Sequence, residues 1–215
     1  MQIVIIGAGN VGAALGKGWA QCGHNIVYGV KDPDDPKYAS VKADAGNARM
    51  ASVAEAASLD GTIVLAVPWD AVPDVLAECG DLGGRVLIDA TNPLTFNDAG
   101  LSLAIGFSTS GGEEVARLAH GAFVFKTMNQ VGYKVMRDAH GYPASPVMFV
   151  AGEDADRKPI VLSLVSDLGF NAIDAGPLNR ARLLEPYAML WIDQVIKRGV
   201  TDENAFSFMH KEHAK

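Results

Sequence analysis

The chain reads as an α/β protein, a Rossmann-like doubly wound, mainly parallel sheet with a small C-terminal extension. Three observations predict it. The opening residues run strand, glycine loop, helix, strand, with Gly7-Ala8-Gly9-Asn10-Val11-Gly12 between the first strand and the helix. Strand-like and helix-like segments then alternate without a break in composition, the signature of a parallel sheet built from crossover units. Finally, segments such as Thr62-Ile63-Val64-Leu65-Ala66-Val67 are continuous apolar runs rather than alternating ones, as expected of strands covered on both faces.

Gln2-Ile3-Val4-Ile5-Ile6 is rich in β-branched residues and predicts the first strand. Residues 13–22 have the small, helix-compatible composition of a crossover helix, and Gly23-His24-Asn25 ends it before a second strand at Ile26-Val27-Tyr28. In this setting G-x-G-x-x-G means dinucleotide binding. Gly7 allows the tight turn, Gly9 the approach of the diphosphate, and Gly12 the packing of helix on strand, while the free N–H groups of Asn10 and Val11 open the helix toward an anion.

The end of the second strand speaks to cofactor choice. An NAD site carries an acid roughly 20 residues beyond the glycines, for the ribose 2′-hydroxyl. Here Gly29 takes the acidic position, and Val30-Lys31 follows. A lost carboxylate and an added cation suit a 2′-phosphate, hence NADP(H). Asp32 is the alternative: if the strand runs further, it becomes the NAD-type acid.

Beyond a polar turn with Pro33 and Pro36, residues 41–45 predict a short helix and 48–50 a short strand. Ser52, with Glu55 three residues on, forms a capping box for a helix over 53–57. A strand over 62–67, a helix over 72–77 and a strand over 85–89 follow. Ligands in such sheets lie beyond the carboxyl ends of the strands. Ala66, Val67, Pro68 and Trp69 sit at one such end, Asn92 and Pro93 at another. Asn92 is placed to bond a hydroxyl or carboxamide, and Trp69 either faces the cofactor or packs on the neighbouring helix. Residues 94–112 look less regular. Ser108 to Gly112 predicts a loop that either binds an anion or simply caps a helix over 113–118.

Phe123-Val124-Phe125 predicts another buried strand, ending at Lys126-Thr127-Met128-Asn129-Gln130. Lys126 and Asn129 are the best candidates for chemistry, acting on a carbonyl or ring oxygen of a hydride acceptor. Equally, Lys126 pairs with a carboxylate and Asn129 caps a helix near Gly132. Strands over 146–151 and 169–174 flank a helix over 159–168, with Asp154 and Asp156 ahead of its N-terminus. The longest helix, over 180–198, carries a broad apolar face that includes Leu183, Tyr187, Leu190, Trp191 and Ile196, enough for a homodimer interface as well as core. The domain reading is a dinucleotide-binding unit over 1–145 and an extension over 146–215.

Composition narrows the function. With 215 residues, 49% of them hydrophobic, and a net charge of −7, the chain has a substantial core and no basic face for nucleic acid. It has no apolar run long enough to span a membrane and no signal-peptide pattern, so a cytoplasmic protein is the default. Cys22 and Cys79 lack metal or redox spacing, and His24, His120, His140, His210 and His213 are scattered, so no metal site is expected.

Ile-Ile-Gly-Ala-Gly-Asn-Val-Gly at 5–12, Leu-Ala-Val-Pro-Trp at 65–69, Asp-Ala-Thr-Asn-Pro-Leu at 89–94, and Asp-Ala-Gly-Pro-Leu at 174–178 with Arg182 and Glu185-Pro186 resemble the NADP oxidoreductase, coenzyme F-420-dependent family. That family in turn resembles the reductase domain of the STEAP metalloreductases. The resemblance implies a dimer that exchanges hydride between NADP(H) and a deazaflavin, or in relatives FMN or FAD, stacked on the nicotinamide. It also implies 2′-phosphate contacts at Val30 and Lys31. The deazaflavin reductases place a histidine and an apolar residue in the segment matching 126–128, where this chain has Lys126-Thr127-Met128 and no histidine. Two other readings are a reductase of a small carbonyl or imine, and a non-enzymatic NADP(H) sensor.

Overall fold

The computed structural model describes residues 1–97 and 100–211; His213 lies outside the described residues. In chain order the main elements are β1 (Gln2–Ile6), α1 (Asn10–Gln21), β2 (Asn25–Val30), α2 (Ala39–Asp44), β3 (Arg49–Ser52), α3 (Val53–Ser58), β4 (Thr62–Leu65), α4 (Val72–Cys79) and β5 (Val86–Asp89). A hairpin of β6 (Leu94–Asn97) and β7 (Gly100–Leu103) follows, then α5 (Gly111–Leu118), β8 (Phe123–Lys126), α6 (Tyr133–Arg137), β9 (Val147–Ala151), α7 (Lys158–Asp167), β10 (Asn171–Gly176) and α8 (Ala181–Ile196).

Among the described residues the main sheet has eight strands in the order β10-β9-β8-β5-β4-β1-β2-β3. From β3 to β8 every pairing is parallel, in the doubly wound Rossmann order. The chain reverses direction across the sheet between β1 and β4, and that reversal opens a crevice above their carboxyl ends. Strand β9 meets β8 antiparallel through the single pair Lys126↔Ala151, and β10 then runs parallel to β9. The side-chain amide of Gln130 extends this short contact, accepting from Phe149 N at 3.0 Å and donating to Phe149 O at 2.9 Å.

Two apolar layers enclose the sheet. One, with Trp19, Tyr28, Phe125, Met148 and Leu164, lies under α1, α6 and α7; the other, with Val53, Leu65, Leu76 and Val115, lies under α3, α4 and α5. Burying each large side chain of this kind is worth roughly 1.5–3 kcal/mol. Trp19 also donates Nε1–H to Leu164 O at 2.8 Å, tying α1 to α7. Ser52 caps α3 as its sequence predicts, accepting from Glu55 N at 3.2 Å.

Three expectations change. Residues 94–97 and 100–103 are paired antiparallel strands, not irregular chain, and they pair from Leu94↔Leu103 to Asn97↔Gly100. Strand β2 runs to Val30, two residues further than expected, because Gly29 pairs with Ile6 and Val30 with Ser52 on either side. On α8, Tyr187 packs against Phe149 and Phe206 with ring centroids 5.9 and 5.1 Å apart, and buried Trp191 donates to Asn204 O at 2.9 Å. Those two rings serve the chain's own core; Leu183, Leu190 and Ile196 remain exposed on the same helix. No helix among the described residues is long and apolar enough to cross a membrane.

Candidate cofactor and active site

A cleft of about 480 Å³ lies above the crevice. Gly9, Asn10 and Val11 form one wall, Ala66, Val67, Pro68, Trp69 and Asp70 the next, and Ala90, Thr91 and Asn92 the third. Leu94, Phe96 and Leu101 of the hairpin complete it. Three strand ends and the hairpin thus converge on one space.

The glycine loop has the geometry a dinucleotide needs. Gly7 sits at φ +105°, where a side chain would also lie 2.4 Å from Ala66 O. A Cβ on Gly12 would lie 2.0 Å from Gly7 O, so helix α1 seats directly on the loop. A Cβ on Gly9 would meet nothing within 4 Å, so the loop is open on the cleft side. Helix α1 has no acid in its first turn and no side-chain cap, which leaves its N-terminal N–H groups and dipole for a phosphate. The residues present fit a dinucleotide diphosphate.

At the end of β2 the reading of Gly29 is corrected. A Cβ there would lie 2.7 Å from Ile6 Cδ1 and 3.0 Å from Ala56 Cβ, so this position faces α3 and holds no ribose ligand whatever its residue. The last residue of the strand is buried Val30, and Lys31 follows it into solvent. Lys31 has no ion-pair partner among the described residues, whereas the Asp32 carboxylate accepts Asp34 N–H at 3.2 Å within its own turn. The longer strand keeps Asp32 in play as the alternative ribose ligand, because one accepted N–H leaves its carboxylate acceptor capacity, while the neighbouring Lys31 is the cation that suits a 2′-phosphate.

Lys126 and Asn129 are also corrected as candidates for chemistry. Lys126 is fully buried and does not line the cleft. Its ammonium lies 2.9 Å from Asp89 Oδ2, 3.1 Å from Glu185 Oε1 and 2.6 Å from Thr91 O. Burial alone would pull its pKa down, but Asp89 and Glu185 outweigh that and hold it above the ordinary lysine value, so it stays charged. Three acceptors exhaust its three N–H donors, and none is left to polarise an acceptor. Asn129 is buried behind Asn92, and it does not cap α6, whose N-cap residue is Gly132. Pro93 likewise lies outside the cleft, with its ring against Gly111.

The loop at 108–112 holds no free anion site. Ser110 caps α5, accepting from Glu113 N at 3.2 Å, and the Glu185 carboxylate takes the N–H groups of Gly111 and Gly112, each at 2.9 Å. Sequence reasoning missed Glu185 in this role, although one acid among Leu183, Leu184, Tyr187 and Ala188 was the available signal. It also missed Leu94, Phe96 and Leu101, whose alternate spacing is that of a hairpin with one face on the cleft.

Residues 2–93, the segment that builds the loop and its facing walls, match the family of NADP oxidoreductases described as coenzyme F420-dependent. The match covers less than half of the chain, and with the relatives that follow it indicates an NADP-dependent oxidoreductase. An F420-dependent NADP reductase of Methanothermobacter marburgensis is 27% identical over 213 residues, covering 93% of this chain and 95% of that one. A crystal structure of a candidate F420-dependent NADP reductase from Arthrobacter sp. FB24 superimposes with a TM-score of 0.82 at 29% identity, covering 92% of this chain and 94% of that one. A reductive aminase of Aspergillus terreus, solved with NADPH and ethyl levulinate, has a TM-score of 0.67 at 16% identity. That match covers 92% of this chain and 62% of the aminase, and it shows the shared fold alone.

Proposed function

We propose that this protein transfers hydride between NADP(H) and a planar ring acceptor of the deazaflavin or flavin type, with coenzyme F420 the preferred partner over FMN and FAD. The carrying observation is the cleft lining. Trp69, Leu94, Phe96 and Leu101 offer flat apolar area, and Asp70 is the one ionisable side chain lining it among the described residues. Reducing a carbonyl or imine calls for a positioned proton donor, and Lys126 is sequestered. A ring acceptor spreads the incoming charge over its own conjugated system and asks chiefly for alignment and exclusion of water. Bound NADPH supplies the hydride; the chain supplies the α1 N-terminus for the diphosphate, Lys31 for the 2′-phosphate and the hairpin as the acceptor's wall.

The test is anaerobic oxidation of NADPH with coenzyme F420, FMN, FAD or a ferric chelate as acceptor. Turnover is expected to be fastest with F420. Reduction of simple ketones or imines with none of the three ring acceptors active would replace this reading.

Cofactor choice has its own test. A charge-assisted contact from Lys31 to the 2′-phosphate is worth roughly 1.5–3 kcal/mol. Lys31→Ala is therefore expected to weaken NADPH binding by about 10- to 100-fold while NADH changes only a few-fold. The loss should shrink as salt rises, because Lys31 is exposed and screened. A wild-type preference for NADH in paired titrations would return the ribose to Asp32.

A further inference from the structure

Asn92 is one of two amide side chains lining the cleft, with Asn10, and its orientation is dictated from outside the cleft. The backbone of β9 cannot reverse its donors and acceptors, and it grips Gln130 from both sides: Phe149 N donates to Gln130 Oε1 at 3.0 Å, and Gln130 Nε2 donates to Phe149 O at 2.9 Å. The second Nε2 hydrogen goes to Asn129 Oδ1 at 3.1 Å. Asn129 must then turn its Nδ2 toward Asn92, and it donates to Asn92 Oδ1 at 3.0 Å. Asn92 Nδ2 in turn donates to the backbone oxygen of Asn129 at 2.9 Å. Rotating any one amide by half a turn would set oxygen against oxygen or N–H against N–H somewhere along this line. Gln130 is fully buried and Asn129 nearly so, so a mismatched group there would lose its partner without gaining water.

Counting donors shows what remains. Asn92 has two N–H groups, one of which is used among the described residues, so it keeps one donor there. We propose that Gln130 and Asn129 are positioning residues for Asn92: a line of three side-chain amides, anchored on the β9 backbone, that makes Asn92 present an N–H to an oxygen of the bound nicotinamide dinucleotide. The proposal rests on the cleft being the NADP(H) site, and it gives the buried amides at 129 and 130 a part in specificity beyond Gln130's bridge to β9. It also gives β9, which stands outside the glycine-loop half of the sheet, a part in cofactor binding.

The test is a double-mutant cycle read as the Kd for NADPH with no acceptor present, so the identity of the acceptor does not enter. Asn92→Ala is expected to weaken NADPH about 10-fold, and Asn129→Ala about 5-fold, the size of one neutral hydrogen bond lost or misdirected. In the Asn92→Ala background, Asn129→Ala should add less than about twofold, because it acts only through Asn92. Gln130→Met, which keeps the volume and removes the amide, should follow the same pattern and carries the test if Asn129→Ala does not fold. Effects that multiply in the double variants, or variants that lower the Tm and leave the Kd unchanged, would overturn the relay. Wild-type protein that binds no NADPH would instead overturn the site reading on which it rests.

Discussion

Gly12→Ala is expected to lose NADP(H) binding and up to about 2 kcal/mol of stability, a cost of overpacking set against a small gain in propensity. Alanine in a helix is favoured over glycine by about 1 kcal/mol, so propensity alone predicts a more stable protein. The structure predicts the opposite sign. The added Cβ would stand 2.0 Å from Gly7 O and 2.9 Å from its carbonyl carbon, and neither backbone atom can move without reshaping the loop. Gly9→Ala makes the contrast. Its φ of −75° suits alanine and its Cβ would meet nothing within 4 Å, so unfolding should shift by no more than about 0.5 kcal/mol. NADPH affinity should still fall at least about 10-fold, since the methyl would fill the space a diphosphate approaches. Urea unfolding and NADPH titration of the two variants separate a packing glycine from a ligand glycine. Equal loss of stability in both would refute that division.

Lys126→Met is expected to cost about 3–5 kcal/mol, the usual result of removing one partner from a buried charge cluster. Two buried carboxylates, Asp89 and Glu185, would remain without their cation. Their other bonds soften the loss without cancelling it. Asp89 keeps Thr91 N and Thr91 Oγ1 at 2.9 and 2.7 Å, and Glu185 keeps the two glycine N–H groups at the start of α5. Neutralising one of the two acids should therefore recover part of the stability. The double variant with Asp89→Asn, which keeps Oδ1 for both Thr91 donors, is expected to regain roughly 1–2 kcal/mol over Lys126→Met alone. Denaturant midpoints measured at neutral pH decide it. If Lys126→Met unfolds like wild type yet fails in turnover, the lysine belongs to the reaction and not to this cluster.

The same residues show how far a linear reading reaches. Gly7, Gly9 and Gly12 could be assigned their separate tasks from spacing alone, because the strand-loop-helix unit is local and each glycine answers to a neighbour within a few residues. Ser52 and Glu55 were legible for the same reason: a capping contact spans three residues. Lys31 stays a proposed 2′-phosphate ligand, on its exposed place after the strand rather than on Gly29. Whether position 29 faces the cleft depends on strand register against β1 and on α3, neither of which its own neighbours reveal.

What the sequence by itself determined was the kind of protein: a parallel doubly wound sheet, a glycine loop of the dinucleotide-binding pattern, and a cation just past the end of the second strand. Those features are written in short-range spacing and in apolar runs, which physics reads locally. Only the tertiary structure decided what the polar residues at the strand ends do. Lys126 lies far along the chain from both Asp89 and Glu185, yet the sheet and α8 bring the three together in a space without water, where an ammonium must pair or lose its charge. Asn129 looked like a cap for the next helix, and the pairing of β5 with β8 sets it instead against Asn92. A buried polar group takes the partner that the fold brings within reach, and that partner is set by the packing of distant segments.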